Sequence, residues 1–251
     1  MMETFYIGAT PIGGDSDITR ITLDIIADAD YLLCENIETT KKLINYGNWK
    51  TKDDVQFIEY CIDFGRGTDI KNHGTVIPGV HDEILKLVQD NKKIIYLPER
   101  GSVGIEDPGF ELIEFLEQNN IKVRSLPGPS SIIAAIIAAR PMQTKTSHRG
   151  FIFQPLVDLD KNKMEKFIKV HSKLPHTAIF MTHDDEMYDA LCYMKKYYGP
   201  VRKVTIGMNL GTPGERIVRT TLGKVIDPFN EEIFFNMYTL IIIDAVNIDL
   251  P

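Results

Sequence analysis

Along the first half of the chain, apolar residues come in short runs, separated by stretches in which they recur at helical spacing. Short runs suit strands buried on both sides, and the helical spacing suits helices with one stripe facing a core. Phe5, Tyr6 and Ile7 predict a first strand. Ile18, Ile21, Ile25, Ile26 and Ala29 predict a helix after it, with Asp15, Ser16 and Asp17 as candidate caps. Strands are expected over 31–34 and 55–61, flanking a helix over 39–46 that Gly47 closes. Periodicity is lost from 63 to 79, which reads as a long loop of the kind that is usually functional or mobile. A helix over 80–89 follows, with Ile84, Leu85 and Val88 on one face. The stretch 94–131 then supplies a strand, a loop, a helix with Phe110, Ile113 and Leu116 on its face, a strand over 122–126 and a second loop.

The rhythm changes beyond residue 126. Residues 132–139 form a small-residue apolar helix, and 141–149 a polar segment able to join two domains. Strands are expected over 151–153, 177–181, 204–208, 217–221 and 238–243, with helices over 161–171 and 185–197. Alternation of strand and helix predicts an α/β protein. The reading is an N-terminal domain over 1–126 with a mainly parallel sheet and a C-terminal domain over 127–251 with a mixed sheet. The short connections near the end allow antiparallel pairs there.

Composition adjusts this picture only slightly. A chain of 251 residues, 43% of them hydrophobic, supplies core enough for two ordinary domains. A formal net charge of −7 gives a field that repels nucleic acid and anionic membrane, so either partner would need a local patch. No apolar run approaches the roughly 18 residues of a membrane span, and the start of the chain lacks a signal-peptide pattern, so a cytoplasmic protein is expected. Cys34, Cys61 and Cys192 are widely spaced and the six histidines scattered, which fits reduced thiols and no metal site.

Candidate chemistry lies in the loops, because open α/β sheets bind ligands beyond the carboxyl ends of their strands. Gly101, Gly104 and Gly109 let a ligand approach the backbone closely. The loop GATPIGG at 8–14 reads equally as a ligand loop and as a plain strand-to-helix turn; it has neither the lysine of a phosphate loop nor a dinucleotide fingerprint. Asp107 is expected to cap a helix with Pro108 at its first position. Glu35 and Glu38 flank the end of the second strand, where a carboxylate can accept a proton or hold a cation, although a solvated surface position is the ordinary reading for Glu38. Lys161, Lys163, Lys166 and Lys169 form a basic stripe, joined by Lys195, Lys196, Arg202 and Lys203; a solvated face is the ordinary reading, a phosphate track the other. His183 with Asp184, Asp185 and Glu186 is expected to start a helix, and Phe151, Phe153, Phe234 and Phe235 to be core.

Five segments in order carry a resemblance: TPIGGDSDIT (10–19), ENIETTKKLI (35–44), GSVGIEDPGFELI (101–113), SLPGPSSIIAAIIA (125–138) and, more weakly, GFIFQP (150–155). Together they resemble the tetrapyrrole-methylase superfamily of S-adenosylmethionine (SAM)-dependent methyltransferases, on the branch that includes the 16S ribosomal RNA cytidine 2′-O-methyltransferases. The resemblance implies two α/β domains with SAM in a cleft between them, usually in a homodimer. It places SAM contacts at Glu99, Gly101, Ser102, Val103, Gly104 and Ile105, at Ser130 and Ser131, and at Met181, Met208, Asn209 and Tyr238. The methyl acceptor falls to Thr10, Pro11, Ile12, Gly13 and Gly14, and the candidates for a general base are Glu35, Glu38 and Glu215. SAM has no phosphate, which agrees with glycine-rich loops lacking a phosphate-binding lysine.

The chain departs from that branch in the SAM loop, where Pro98-Glu99-Arg100-Gly101-Ser102-Val103 stands for Ser-Asp-Ala-Gly-Thr-Pro, and at Tyr60-Cys61-Ile62-Asp63-Phe64, which replaces a His-rich acceptor segment. Glu35-Asn36-Ile37-Glu38-Thr39-Thr40 stands where the branch typically has Glu-Asp-Thr-Arg-His-Thr, and Thr182-His183-Asp184-Asp185-Glu186 replaces Glu-Ser-x-His-Arg. The expected activity is methyl transfer from SAM to RNA, by resemblance to a ribose 2′-hydroxyl of ribosomal RNA, with RNA or a ribosomal subunit as the partner. The alternatives are a small acceptor such as a tetrapyrrole, which the acidic charge favours, and a non-catalytic SAM sensor.

Overall fold

The computed structural model describes residues 5–62, 75–104, 107–140, 150–157, 159–226 and 239–244. Expectations for 63–74, 141–149, Ile105, Phe234, Phe235 and Tyr238 lie outside them. The chain divides between Ser130 and Ser131 into two compact units.

In the first unit the elements are β1 (Phe5–Ile7), β2 (Ala9–Thr10), α1 (Arg20–Asp28), β3 (Tyr31–Cys34), α2 (Ile37–Tyr46), β4 (Gln56–Glu59), α3 (Val80–Gln89), β5 (Ile94–Leu97), β6 (Gly101–Ser102), α4 (Gly109–Gln118) and β7 (Val123–Ser125). Five of these strands form one sheet in the order β4-β3-β5-β1-β7, and every pairing in it is parallel. Parallel neighbours need crossover connections, which is what the strand–helix rhythm of the sequence supplies. Side chains alternate between the faces. Phe5, Ile7, Leu33, Ile94 and Tyr96 pack with Ile84 of α3 and Leu112 and Leu116 of α4. Tyr6, Leu32, Cys34, Ile95 and Leu97 pack with Ile26 of α1 on the other side. With both faces covered, central strand β5 is buried along its whole length, which is why it reads as an unbroken apolar run.

Local interactions shift several expected boundaries. Helix α1 starts at Arg20, because Thr19 caps it by accepting from the Thr22 amide (3.4 Å); Ile18 is buried but extended. Asp15–Asp17 instead form a short 3-10 turn. Asn36 Oδ1 accepts from the Thr39 amide (2.9 Å), so α2 begins at Ile37, earlier than expected. Gly47 ends α2 at φ −78°, outside the left-handed region; glycine is needed there because a Cβ would lie 2.1 Å from Trp49 Nε1. In α3 the buried face is Val80, Ile84 and Leu87, so Leu87 takes the place expected for Leu85. Helix α4 begins at Gly109 with Pro108 one position outside it. Its inward face is Gly109, Leu112 and Leu116, while Phe110, expected inward, is 66% exposed. Position 110 is one residue, or about 100°, off that stripe.

The second unit contains α5 (Ser131–Ala139), β8 (Phe151–Pro155), α6 (Lys161–His171), β9 (Thr177–Thr182), α7 (Asp184–Tyr198), β10 (Lys203–Met208), β11 (Arg216–Thr221), α8 (Leu222–Ile226) and β12 (Thr239–Ile243). Its sheet runs β11-β10-β12-β9-β8; β8 and β9 are parallel and the other pairs antiparallel. The fold is therefore α/β with a parallel first sheet and a mixed second sheet, as expected. Met164 and Ile168 of α6 and Met187, Leu191 and Met194 of α7 share a core with Phe180, Ile206 and Ile241 of the sheet. Phe151, expected in the core, is 41% exposed on edge strand β8. The five-residue α8 is too short to show a period and was not expected. Much of the lysine stripe is tied down locally: Lys161 pairs with Asp189 (2.6 Å), Lys163 with Asp160 (3.4 Å), and Lys196 of α7 with Glu165 of α6 (2.7 Å). Such exposed pairs contribute little stability. Among the described residues no helix is long and apolar enough to cross a membrane.

The inward face of α4 gives a direct check. Leu112→Ala should destabilise the protein by about 2–5 kcal/mol in chemical denaturation, because Leu112 is fully buried between α4 and the sheet. Phe110→Ala should cost well under that; equal costs would put the stripe of α4 elsewhere.

Candidate active site

Parallel pairing brings the carboxyl ends of four strands to one edge. Ile7 is in register with Tyr96 and Ser125, and Cys34 with Leu97. The loops that leave this edge are joined to one another. Ala9 and Thr10 of β2 pair antiparallel with Ser102 and Gly101 of β6, so the loop after β1 and the loop after β5 share a two-stranded ribbon. Ser102 Oγ donates to the Pro129 carbonyl (2.7 Å) and Thr19 Oγ1 to the Pro127 carbonyl (3.2 Å), which adds the loop after β7. Gly128 permits the approach: a Cβ there would lie 2.1 Å from that of Ala9.

The loop after β5 is also held at several of its described residues. Glu35 Oε2 accepts from the Glu99 amide (2.7 Å), and Thr39 Oγ1 donates to Glu99 Oε1 (2.8 Å). Gly101 and Gly104 take φ of +71° and +95°, where a side chain would be strained. Asp107 then closes the loop, Oδ2 accepting from the Gly104 amide (2.6 Å) and Oδ1 from the Gly109 amide (2.7 Å). The N-cap of α4 is Pro108, not Asp107 as expected; Asp107 lies one position before it and accepts from the first helical amide, that of Gly109. On the first loop, Asp17 Oδ2 accepts from the amides of Gly13 (3.0 Å) and Gly14 (3.1 Å). Neither Thr39 nor Asp17 was a sequence candidate for the site, Asp17 being expected only as a helix cap. The spacing of Asp17 from Gly14 is a signal for a turn-closing carboxylate; nothing local announces the contact of Thr39 with Glu99, which lies 60 residues away.

Burial leaves two hydroxyls near this edge without partners among the described residues. Thr10 is fully buried and its Oγ1 has no hydrogen-bond partner among the described residues. The same holds for the Tyr96 hydroxyl. Burial first, and then the carboxylates of Glu35 and Asp107, push that hydroxyl well above the ordinary tyrosine range, so it remains a neutral donor. Tyr60, whose ring meets Tyr96 edge-on, is hydrogen-bonded to His81 Nε2 (3.1 Å) and is likewise pushed up by burial. Burial pushes the Cys34 thiol to about 12, which removes it as a nucleophile.

Not every candidate gathers here. Glu38 is exposed in the first turn of α2. Ser130 ends the first unit and Ser131 opens α5 in the second. In the second unit, Thr239 of β12 is in register with Met208 on one side and Thr182 on the other, and Leu240 with Met181. Met181, Met208 and Asn209 therefore sit at one edge of that sheet. The Met208 side chain is fully buried in the core, so its backbone is what it offers a ligand. Asn209 takes φ of +49°, and its carbonyl accepts from the Thr212 amide and hydroxyl. Thr182 repeats the pattern of Thr10, a buried hydroxyl without a partner among the described residues. Glu215 is exposed and accepts from the Gly211 amide (3.0 Å).

A fold of this topology is found among methyltransferases of known structure. The chain matches the crystal structure of the methyltransferase CobJ with a TM-score of 0.70 at 16% identity, over 98% of this chain and 95% of that one. It matches uroporphyrin-III C-methyl transferase from Thermus thermophilus, complexed with S-adenyl homocysteine, with a TM-score of 0.60 at 14% identity, over 96% of each chain. These likenesses establish the fold. The family profile described as Tetrapyrrole (Corrin/Porphyrin) Methylases matches residues 4–226, and the chain belongs to that family. As a member it is a SAM-dependent methyltransferase. It is also 25% identical, over 250 residues that cover 100% of this chain and 82% of the relative, to Ribosomal RNA small subunit methyltransferase I from Synechocystis sp..

The unpartnered Thr10 hydroxyl makes a testable difference between free and bound protein. An unpaired buried hydroxyl costs about 1–3 kcal/mol, so Thr10→Val should raise stability by about 1 kcal/mol in denaturant titration while weakening ligand binding. A loss of stability would show that the hydroxyl is already satisfied in the free protein.

Proposed function

We propose that this methyltransferase acts on ribosomal RNA of the small subunit, at a ribose 2′-hydroxyl. The observation that carries the reading is the match along the whole chain to a relative named for small-subunit ribosomal RNA, whereas the solved tetrapyrrole enzymes share the fold at much lower identity. A net charge of −7 favours the second reading, a small acceptor such as a tetrapyrrole.

The residues of the first unit suit the cofactor. S-adenosylmethionine, when bound, supplies an electrophilic methyl carbon on a sulfonium and brings hydroxyl and ammonium donors but no phosphate. Glu99 Oε2 has no donor among the described residues, and Gly101 and Gly104 present backbone without a Cβ. We assign Glu99, Gly101, Ser102, Val103, Gly104 and Ser130 to the cofactor, with Ile105, Ser131, Met181, Met208, Asn209 and Tyr238 as further contacts, and residues 10–14 to the acceptor.

An in-line transfer needs the acceptor oxygen held close and aligned, and positioning alone contributes ~7–11 kcal/mol. A ribose hydroxyl also benefits from a base. Of the three candidates, Glu35 spends an oxygen on the Glu99 amide and Glu215 one on the Gly211 amide, whereas Glu38 makes no hydrogen bond with a described residue. Glu38 is therefore the favoured base. With this acceptor go a cytoplasmic location, a homodimeric assembly and local RNA contacts by the lysine clusters.

Radiolabelled SAM incubated with the protein should label the RNA of small subunits prepared from cells lacking it, and Glu38→Gln should reduce the rate ~10²-fold. Binding to the subunits should weaken steeply with salt. Label in a tetrapyrrole fraction and none in RNA would replace this reading by the second.

A further inference from the structure

We propose that Thr39 and Glu35 are positioning residues that hold Glu99 in place from the first turn of α2, an inference that rests on reading the loop after β5 as the cofactor loop. Glu99 is gripped at two points. Its amide donates to Glu35 Oε2 (2.7 Å), and its Oε1 accepts from the Thr39 hydroxyl (2.8 Å). The gripping residues are themselves fixed. The Glu35 amide donates to the Leu97 carbonyl (3.1 Å), which locks it to the end of β5. The Thr39 amide donates to Oδ1 of Asn36, the buried cap of α2 (2.9 Å).

The consequence for a ligand is directional. With Oε1 and the backbone both held, Oε2 is left as an acceptor in a set orientation, ready for a hydroxyl or ammonium donor of the cofactor. An acceptor placed in advance spares the ligand the cost of ordering it. The same helical turn carries Glu38, so the element that fixes the cofactor loop also presents the proposed base.

The test is calorimetric binding of S-adenosylhomocysteine, with thermal melting of each variant, for the wild type, Thr39→Val, Thr39→Ser, Glu99→Ala and the Thr39→Val/Glu99→Ala pair. Thr39→Val should weaken binding about tenfold, the scale of one hydrogen bond to a charged group, and Thr39→Ser should stay within about twofold. Melting of Thr39→Val should shift no more than that of Thr39→Ser. In the Glu99→Ala background the change at Thr39 should have no further effect, because residues that act through one another are not additive. Wild-type affinity in Thr39→Val, additive losses in the pair, or a fall in melting that tracks the fall in affinity would each overturn the positioning role while leaving the cofactor reading intact. No binding by the wild type would overturn the cofactor reading, and the positioning role with it.

Discussion

Parallel pairing around β5 is the constraint on which the rest depends. Strands that run the same way in close register end at the same edge, and Ile7, Cys34, Leu97 and Ser125 do so here. Loops from distant parts of the chain then emerge side by side, with backbone amides and carbonyls that must find partners. They find them in one another. The β2–β6 ribbon, Ser102 to Pro129, Glu99 to Glu35 and Thr39, and Asp107 to Gly104 and Gly109 make one connected rim. Such a rim is firm without being part of the hydrophobic core, which suits a site that must admit and release a ligand.

The same rim shows where stability has been given up. Gly101 and Gly104 hold left-handed backbone conformations, and the hydroxyls of Thr10 and Tyr96 are buried without partners among the described residues. Each costs free energy in the isolated fold. Concentrated at the carboxyl edge of the first sheet, these costs have the character of a site built for a bound molecule. The second unit repeats the motif on a smaller scale at Thr182, beside the start of β12.

The alternation of strands and helices can be read from the sequence because the inner strands β1, β5 and β12 are buried throughout and nearly every helix buries one stripe. Residues 80–89 and 161–171 match their helices for this reason. Where reading failed, another interaction had taken over. Thr19 and Asn36 chose helix starts that apolar spacing alone placed elsewhere, and Phe110 turned outward because Leu112 and Leu116 already filled the inward stripe. The candidate site is visible in the sequence as glycine-rich loops and as a family resemblance. Its internal connections are not. Strand β6 is two residues long and has no pattern to display, and the contacts that set Glu99 join residues 60 and 64 positions apart. Partnerless hydroxyls belong to packing and have no trace in a single sequence.

The central claim is that the joined loops at the carboxyl edge of the parallel sheet are the cofactor-binding rim of this methyltransferase. Amide hydrogen exchange with and without saturating S-adenosylhomocysteine tests it most directly. The expected result is slower exchange over 9–14, 99–104 and 126–130, with the amides of α1 and α3 unchanged. Protection confined to other segments, with these three loops exchanging as in the free protein, would contradict it.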